Sequence, residues 1–318
     1  MAVRTEPIGL TLVTGGAGIM GSRLSMALAH RGRPVRVLCL AGDAGAQALE
    51  AMGVEVVRGD VTRPESLAKA LAGVHTVFHL AAILLSPLRP EAFNEVNAEG
   101  TRNLVRAAES AGVDHFIQVS SVSVLYTWSN AYARSKQLSE EIVRGSRLAH
   151  VTVVRPSLAY EDGGSAEFMR FVDHLRRSPW VFLPSGGRAR KSPVHVEDLV
   201  AGFLAVPGNP LAYGKTYHFT GGEVLTLREM ADALLRHMGR PKPIIGFPLW
   251  LGRILVVAAW IFSRLTGRAH VITWQSLTGL VQDAVPEDAS AAVDLCYRPR
   301  PFREGLSTLH SLRGCLAR

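Results

Sequence analysis

Tyr132 and Lys136 are the residues whose types and spacing suggest chemistry most directly. On a helix, positions i and i+4 share a face. An ammonium beside a phenol favours the phenolate, which would draw the tyrosine pKa down from about 10 toward neutrality. Such a tyrosine can exchange a proton with a substrate oxygen. The apolar run before it ends in Ser120-Ser121, where a hydroxyl could hold that oxygen in place. A tyrosine–lysine pair alone is common on helix surfaces, so the elements around it decide what it can do.

The element that gives the pair its context is Gly9 to Gly21, Gly-Leu-Thr-Leu-Val-Thr-Gly-Gly-Ala-Gly-Ile-Met-Gly. Leu10–Val13 predicts a buried strand, Thr14-Gly15-Gly16 a sharp turn, and a helix opening at about Gly18. Gly15, Gly18 and Gly21 would serve in turn for the tight turn, for close approach of a pyrophosphate, and for packing of helix on strand. Free amide groups, including those of Ile19 and Met20, and the positive end of the helix dipole would face the phosphates. Strand, glycine turn and helix together predict a dinucleotide site. A nicotinamide held there could exchange hydride while Tyr132 handles the proton.

From Leu10 to Val154 apolar strands alternate with helical stretches. Strands are expected near 35–40, 54–57, 75–80, 115–120 and 151–154. Helices are expected near 22–31, 44–52, 91–111 and 130–147. Another helix should start at Thr62, with Pro64 in its first turn and Glu65 completing a capping box. This alternation predicts a Rossmann-type doubly wound parallel sheet in an α/β fold. Ligands of such a sheet bind beyond the carboxyl ends of its strands. Past Pro156 the alternation stops, with loops at 161–164 and 184–187. A strand at 217–220 is followed by a helix boxed by Thr226 and Glu229. The expected division is a dinucleotide-binding domain over 1–160 and a smaller mixed substrate lobe over 161–318, with part of 193–220 returning to the first domain.

The chain has 318 residues, 47% apolar and 19% charged, with a net charge of +8. That composition supports a large core and excludes extensive disorder. The basic residues are scattered, which argues against nucleic acid. Cys39, Cys296 and Cys315 show no paired spacing, so a reducing compartment and no bound metal are expected. The N-terminus lacks a signal-peptide pattern, and a cytoplasmic location follows.

Taken together these motifs resemble the extended short-chain dehydrogenase/reductases, the NAD(P)-dependent epimerase/dehydratase-like family. The resemblance rests on the Thr14–Gly21 turn, Gly59-Asp-Val61, Phe78-His-Leu-Ala-Ala82, Asn97-Ala-Glu-Gly-Thr101 and Val119-Ser-Ser121. Tyr132/Lys136, Arg155-Pro156, Pro193–Asp198 and Tyr297–Gly305 extend it over nearly the whole chain. It implies that Asp60 and Val61 contact adenine, and that Ala81 and Ala82 contact the cofactor ribose and phosphates. It also implies that Ser121 orients substrate, Tyr132 is the acid/base, Lys136 binds the nicotinamide ribose and tunes Tyr132, and Asn97 supports the nicotinamide region. A homodimer is implied as well.

Three departures bear on function. Tyr132 follows Ser121 by only 11 positions, whereas many members carry a longer substrate loop there, so a more open or differently lidded site is expected. The second strand ends Leu38-Cys-Leu40, which supplies neither the acid typical of NAD users nor the arginine typical of NADP users. NAD and NADP therefore both stay open; Arg23 and Arg36 could reach a 2′-phosphate but are expected to be surface arginines. The segment after Arg155-Pro156 lacks the asparagine typical of sugar-nucleotide enzymes.

Three other features take structural readings. His75 and His79 lie on a strand and do not form a metal pair. His195 and Asp198 are expected to join the lobes rather than to catalyse. The apolar stretch 244–265 is interrupted by Arg253, which argues against a bilayer span of about 20 residues. It predicts a helix either buried in the substrate lobe or at a dimer contact, or lying in a membrane interface. The whole predicts an NAD(P)-dependent oxidoreductase moving hydride to or from a carbonyl or alcohol carbon on a small, hydrophobic or lipid-like substrate. The alternatives are a sugar-nucleotide epimerase or dehydratase with retained NAD, and a nucleotide-binding subunit without turnover.

Overall fold

The computed structural model describes residues 9–84, 89–162, 164–266 and 274–313. Cys315 and the N-terminal residues 1–8 lie outside them. The first half builds β1 (Thr11–Thr14), α1 (Ile19–His30), β2 (Val35–Cys39), α2 (Ala44–Ala51), β3 (Glu55–Arg58), α3 (Leu67–Leu71) and β4 (Thr76–His79). It continues with α4 (Gly100–Ala111), β5 (His115–Val119), α5 (Ala131–Arg144) and β6 (His150–Pro156). Leu12, Val13, Val37, Val77, Phe78, Phe116 and Ile117 are sealed from water. Strands apolar on both sides need helices on both faces, and a parallel sheet with crossovers provides them.

The second half is mixed. It runs β7 (Ala159–Tyr160), α6 (Ala166–Arg177), β8 (Val181–Pro184), β9 (Arg190–Lys191), β10 (Val194–His195), α7 (Val196–Leu204) and β11 (Thr216–Phe219). Then follow β12 (Leu225–Thr226), α8 (Leu227–His237), β13 (Ile244–Phe247), α9 (Leu249–Thr266), α10 (Trp274–Val281), α11 (Ser290–Leu295), α12 (Phe302–Gly305) and α13 (His310–Arg313). The main sheet has seven parallel strands in the order β11-β6-β5-β4-β1-β2-β3. The chain therefore reverses direction across the sheet between β1 and β4, where a ligand crevice opens. Residues 193–220 send β11 back to the sheet edge, and α7 packs with α1 in one core of Leu24, Leu28, Leu199, Val200 and Phe203. A second core joins α6, β8, α8 and α12 through Phe168, Val172, Leu183, Leu234 and Phe302.

Local expectations and structure differ in three places. Thr62 does not cap a helix. Its amide instead donates to Asp60 Oδ1 at 2.8 Å, and a 3-10 turn at Pro64–Ser66 enters α3 without a capping side chain. The box of Thr226 and Glu229, in contrast, forms in full at α8. Residues 244–247 are a strand paired with β8, not the start of the apolar helix, and that helix is largely exposed rather than buried. Among the described residues α9 is the one helix long and apolar enough to cross a membrane.

Candidate active site

The crevice begins at the end of β1. Gly15 has φ +65°, and a Cβ there would lie 2.8 Å from the Ala81 backbone, so only glycine permits the turn to pass β4 this closely. A Cβ on Gly21 would meet the Gly15 carbonyl oxygen at 2.4 Å. Gly18, in contrast, is exposed and faces open space except for that carbonyl. It starts α1 with no capping side chain and no acid in the first turn. The amides of Ile19, Met20 and Gly21 are thus left at the positive end of the dipole, a cradle that fits a pyrophosphate.

Beneath the cradle sits a buried polar chain. His79 accepts or donates to Thr14 Oγ1 at 2.7 Å and Thr101 Oγ1 at 2.9 Å, while Thr14 Oγ1 accepts the Ala81 amide. Burial, followed by the charge of Lys136, lowers the His79 pKa to about 3, so the ring is neutral. Thr101 in turn donates to the Asn97 carbonyl at 2.5 Å, and Ser139 of α5 donates to the same oxygen at 2.6 Å. That carbonyl is available because Asn94–Glu99 winds as a π-helix, a form concentrated at functional sites. The Asn97 amide side chain accepts from the Ile83 amide at 2.9 Å and donates to the Ile83 carbonyl and to Ser135 Oγ. Asn97 thereby pins the segment after Ala81-Ala82 to α5. Asp60 and Val61 stand at the end of β3, with Val61 buried and its carbonyl held by Asn103.

Asn130 caps α5, accepting from the Ala133 amide at 2.9 Å. This starts the helix so that Tyr132 falls in its first turn, edge-on to Phe93 at 6.1 Å. Ser121 caps the 3-10 turn after β5, its hydroxyl accepting from the Ser123 amide at 3.2 Å, and lies close enough to the Tyr132 hydroxyl to lower its pKa. Ser120 turns inward, toward Glu140. Lys136 is buried and donates to the Val119 carbonyl at 2.7 Å.

The electrostatics correct one expectation. The Tyr132 hydroxyl is not drawn toward neutrality. Burial and then the Glu167 carboxylate raise its pKa, and the nearby Ser121 hydroxyl opposes them only in part. Lys136 shares a helix face with it, yet its ammonium is committed to Val119, and burial lowers its own pKa to about 8 against the pull of Glu140. Tyr132 is therefore a protonated phenol at neutral pH.

Glu167, on α6 across the cleft, was not legible in the sequence, and neither was Lys191. The Lys191 ammonium is buried, sits 5.5 Å over the Tyr126 ring, and donates to the Gly279 and Gln282 carbonyls at 2.6 and 2.5 Å. Gln282 closes a two-way amide pair with the Trp128 backbone at 2.8 and 3.0 Å, and Asn130 donates to Thr278 at 2.8 Å. The short stretch from Ser121 to Tyr132 is thus lidded by α10 rather than by a long loop of its own. A cleft of about 500 Å³ lies between them, lined by Leu125, Trp128, Val281 and Pro286 together with the polar Thr127, Gln282 and Asp283.

Other candidates are engaged elsewhere. Arg36 pairs with Glu55 and donates to the Ala70 and Ala72 carbonyls, and Arg23 pairs with Glu161. His195 bonds to Thr308 and Asp198 grips Arg300 at 2.8 Å, so they form no relay.

Residues 11–218 match the model of the NAD dependent epimerase/dehydratase family. The chain belongs to that family. A 3-beta-hydroxysteroid dehydrogenase of Mycolicibacterium neoaurum is 30% identical over 93% of this chain and 88% of its own. A 2-alkyl-3-oxoalkanoate reductase of Stenotrophomonas maltophilia is 28% identical over 73% and 76%. The fold is shared with a UDP-glucuronic acid 4-epimerase of Bacillus cereus solved with UDP-glucuronic acid and NAD, at TM-score 0.74 and 18% identity over 96% and 98% of the two chains. As a family member the protein is an enzyme of the extended short-chain dehydrogenase type, an oxidoreductase whose cofactor is NAD or NADP.

Proposed function

We propose that the enzyme reduces an apolar ketone, or oxidises the matching alcohol, with Tyr132 as the residue that handles the proton. When bound, the cofactor supplies or accepts hydride. Gly15, Gly18, Ile19, Met20 and Gly21 would hold its phosphates, Asp60 and Val61 its adenine end, and Ala81, Ala82 and Lys136 its ribose and nicotinamide side. Ser121 would hold the substrate oxygen, Tyr132 would deliver the proton, and Asn97 would position the strand ends and α5 against each other.

The observation that carries this reading is the placement of Tyr132 and Lys136 on one face of α5 beside the end of β5, where Lys136 is bound to the Val119 carbonyl and Ser121 caps the following turn. A protonated phenol at this position can donate to a carbonyl oxygen, which is the role needed in reduction. Leu125 and Trp128 give the cleft under α10 apolar surface beside the polar Thr127, Gln282 and Asp283, which suits a substrate that is largely apolar with a polar end. The relatives named for a steroid alcohol and for an alkyl oxo-acid support the same class. A cytoplasmic enzyme working against a membrane surface, as a homodimer, fits such a substrate.

Tyr132→Phe should cut turnover by about 10²–10⁴-fold while leaving NADH or NADPH affinity unchanged, since it removes the proton donor alone. Undiminished turnover in that variant rejects the role. The epimerase or dehydratase alternative is separated by denaturing the purified protein and identifying released nucleotide by mass spectrometry. Stoichiometric NAD favours it, because such an enzyme re-reduces its substrate on a cofactor it retains. An empty protein that binds added cofactor reversibly favours the dehydrogenase. Binding of cofactor with no turnover on any ketone or sugar nucleotide would leave the non-catalytic subunit.

A further inference from the structure

Helix α9 presents the wrong side to water. Its buried stripe is small and short, formed by Gly252, Val256 and Ser263. A Cβ on Gly252 would lie 3.1 Å from Leu277, so α9 and α10 touch at close range there. The opposite stripe, Trp250, Ile254, Val257, Ile261 and Leu265, repeats at intervals of three and four and so lies on one face. Each of these side chains is between 47 and 81% exposed. An ordinary surface helix places its polar residues on that face.

Charge says what covers it. Arg253, Trp260 and Arg264 share the flank of this face, and the Arg264 guanidinium lies 5.4 Å from the Trp260 ring. No Asp or Glu occurs between Asp232 and Asp283, whereas Arg236, Arg240, Lys242, Arg253, Arg264 and Arg268 all do. Two copies packed through α9 would bring arginines together with no carboxylate on the helix to answer them. An anionic lipid surface answers them directly, with acyl chains for the stripe, phosphates for the guanidiniums and the headgroup layer for the indoles.

The helix is also placed to matter for the site. The Arg253 guanidinium lies 5.6 Å over the ring of Trp128, whose backbone is clasped by Gln282 four positions before Tyr132. We propose that the outward face of α9 docks on an anionic bilayer and sets the cleft between Trp128 and the end of α10, on the loop that leads to Tyr132, against the lipid from which an apolar substrate enters. This deepens the hydrophobic-substrate reading and rests on it for the identity of what enters.

The test is co-sedimentation of the full protein with vesicles of phosphatidylglycerol and phosphatidylcholine, against vesicles of phosphatidylcholine alone. The native protein should pellet with the anionic vesicles, release in high salt, and stay in solution with the neutral ones. The double variant I254E/I261E should lose vesicle binding by about tenfold or more, because both side chains are exposed and must enter lipid. Its melting temperature and its NADH or NADPH affinity should be unchanged. Y132F should bind vesicles like the native protein, so loss of catalysis and loss of docking are read separately. Native protein that ignores anionic vesicles overturns the proposal, as does I254E/I261E pelleting undiminished. A native dimer that I254E/I261E splits into monomers, with no vesicle binding in either, overturns it in favour of a subunit contact. Native protein that resists extraction by high salt and alkaline carbonate overturns it in favour of a spanning helix. Vesicle binding without any turnover would sink the enzymatic reading alone.

Discussion

The phenol and ammonium of Tyr132 and Lys136 were visible in the sequence as a pair, but their relation was not. Helical spacing puts the two on one face. It says nothing of the Val119 carbonyl, which takes the ammonium, or of Glu167, which is 35 positions further along and acts on the phenol electrostatically only after α6 has folded. Asn97 is the residue with the most to lose. It joins the loop after β4 to α5 through three hydrogen bonds of its side chain. Asn97→Ala leaves the Ile83 amide and Ser135 without that partner, at roughly 1–3 kcal/mol for a buried donor left unmade. The expected outcome is a melting temperature lowered by several degrees. A fall in kcat should exceed any change in cofactor affinity, as steady-state kinetics and nucleotide titration would show.

Among the elements, the alternating strands and helices of the first half were legible because each strand is a short apolar run bounded by glycine, proline or a capping residue. The second half was not. β8 and β13 are paired across some sixty residues, and no local pattern marks partners that distant. The π-turn at Asn94–Glu99 hid inside an ordinary helical periodicity, because one inserted residue shifts the ladder without changing which side chains are apolar. The apolar stretch beginning at Ile244 was plain in sequence, but its outward orientation depended on how little of α9 the rest of the lobe could cover. The lid offers the sharpest test at this scale. Gln282→Leu keeps the size of the side chain and removes its two-way pairing with Trp128. It should raise the KM for a bulky substrate several-fold and leave cofactor binding unchanged. An unaltered KM would mean that α10 does not shape the cleft.

For the molecule as a whole, the polar groups placed in its interior set an acid limit. His79 and His115 are both buried, and burial lowers each pKa to about 3. The unfolded chain takes up these protons near pH 6.5, the folded one only near 3, so between those values the unfolded state binds more protons. Stability is therefore full above about pH 6.5 and drains as pH falls toward 3, by roughly 1.4 kcal/mol per pH unit for each histidine. Thermal melts recorded from pH 7 down to 4 should show this slope. H79N/H115N should flatten it, even though the double variant starts from a lower melting temperature. A native protein whose melting temperature holds level over that range would contradict the burial of both rings.

The order of the sheet also carries a schedule. Every element of the dinucleotide cradle has left the ribosome once Pro156 is made. The sheet edge still waits for Thr216–Phe219, and the apolar side of α1 waits for Val196–Leu204. At about 5–20 residues per second, the nascent chain spends several seconds with Leu24, Leu28 and the flank of β6 uncovered. During that interval the half of the protein that looks most complete in sequence is the half most in need of a chaperone.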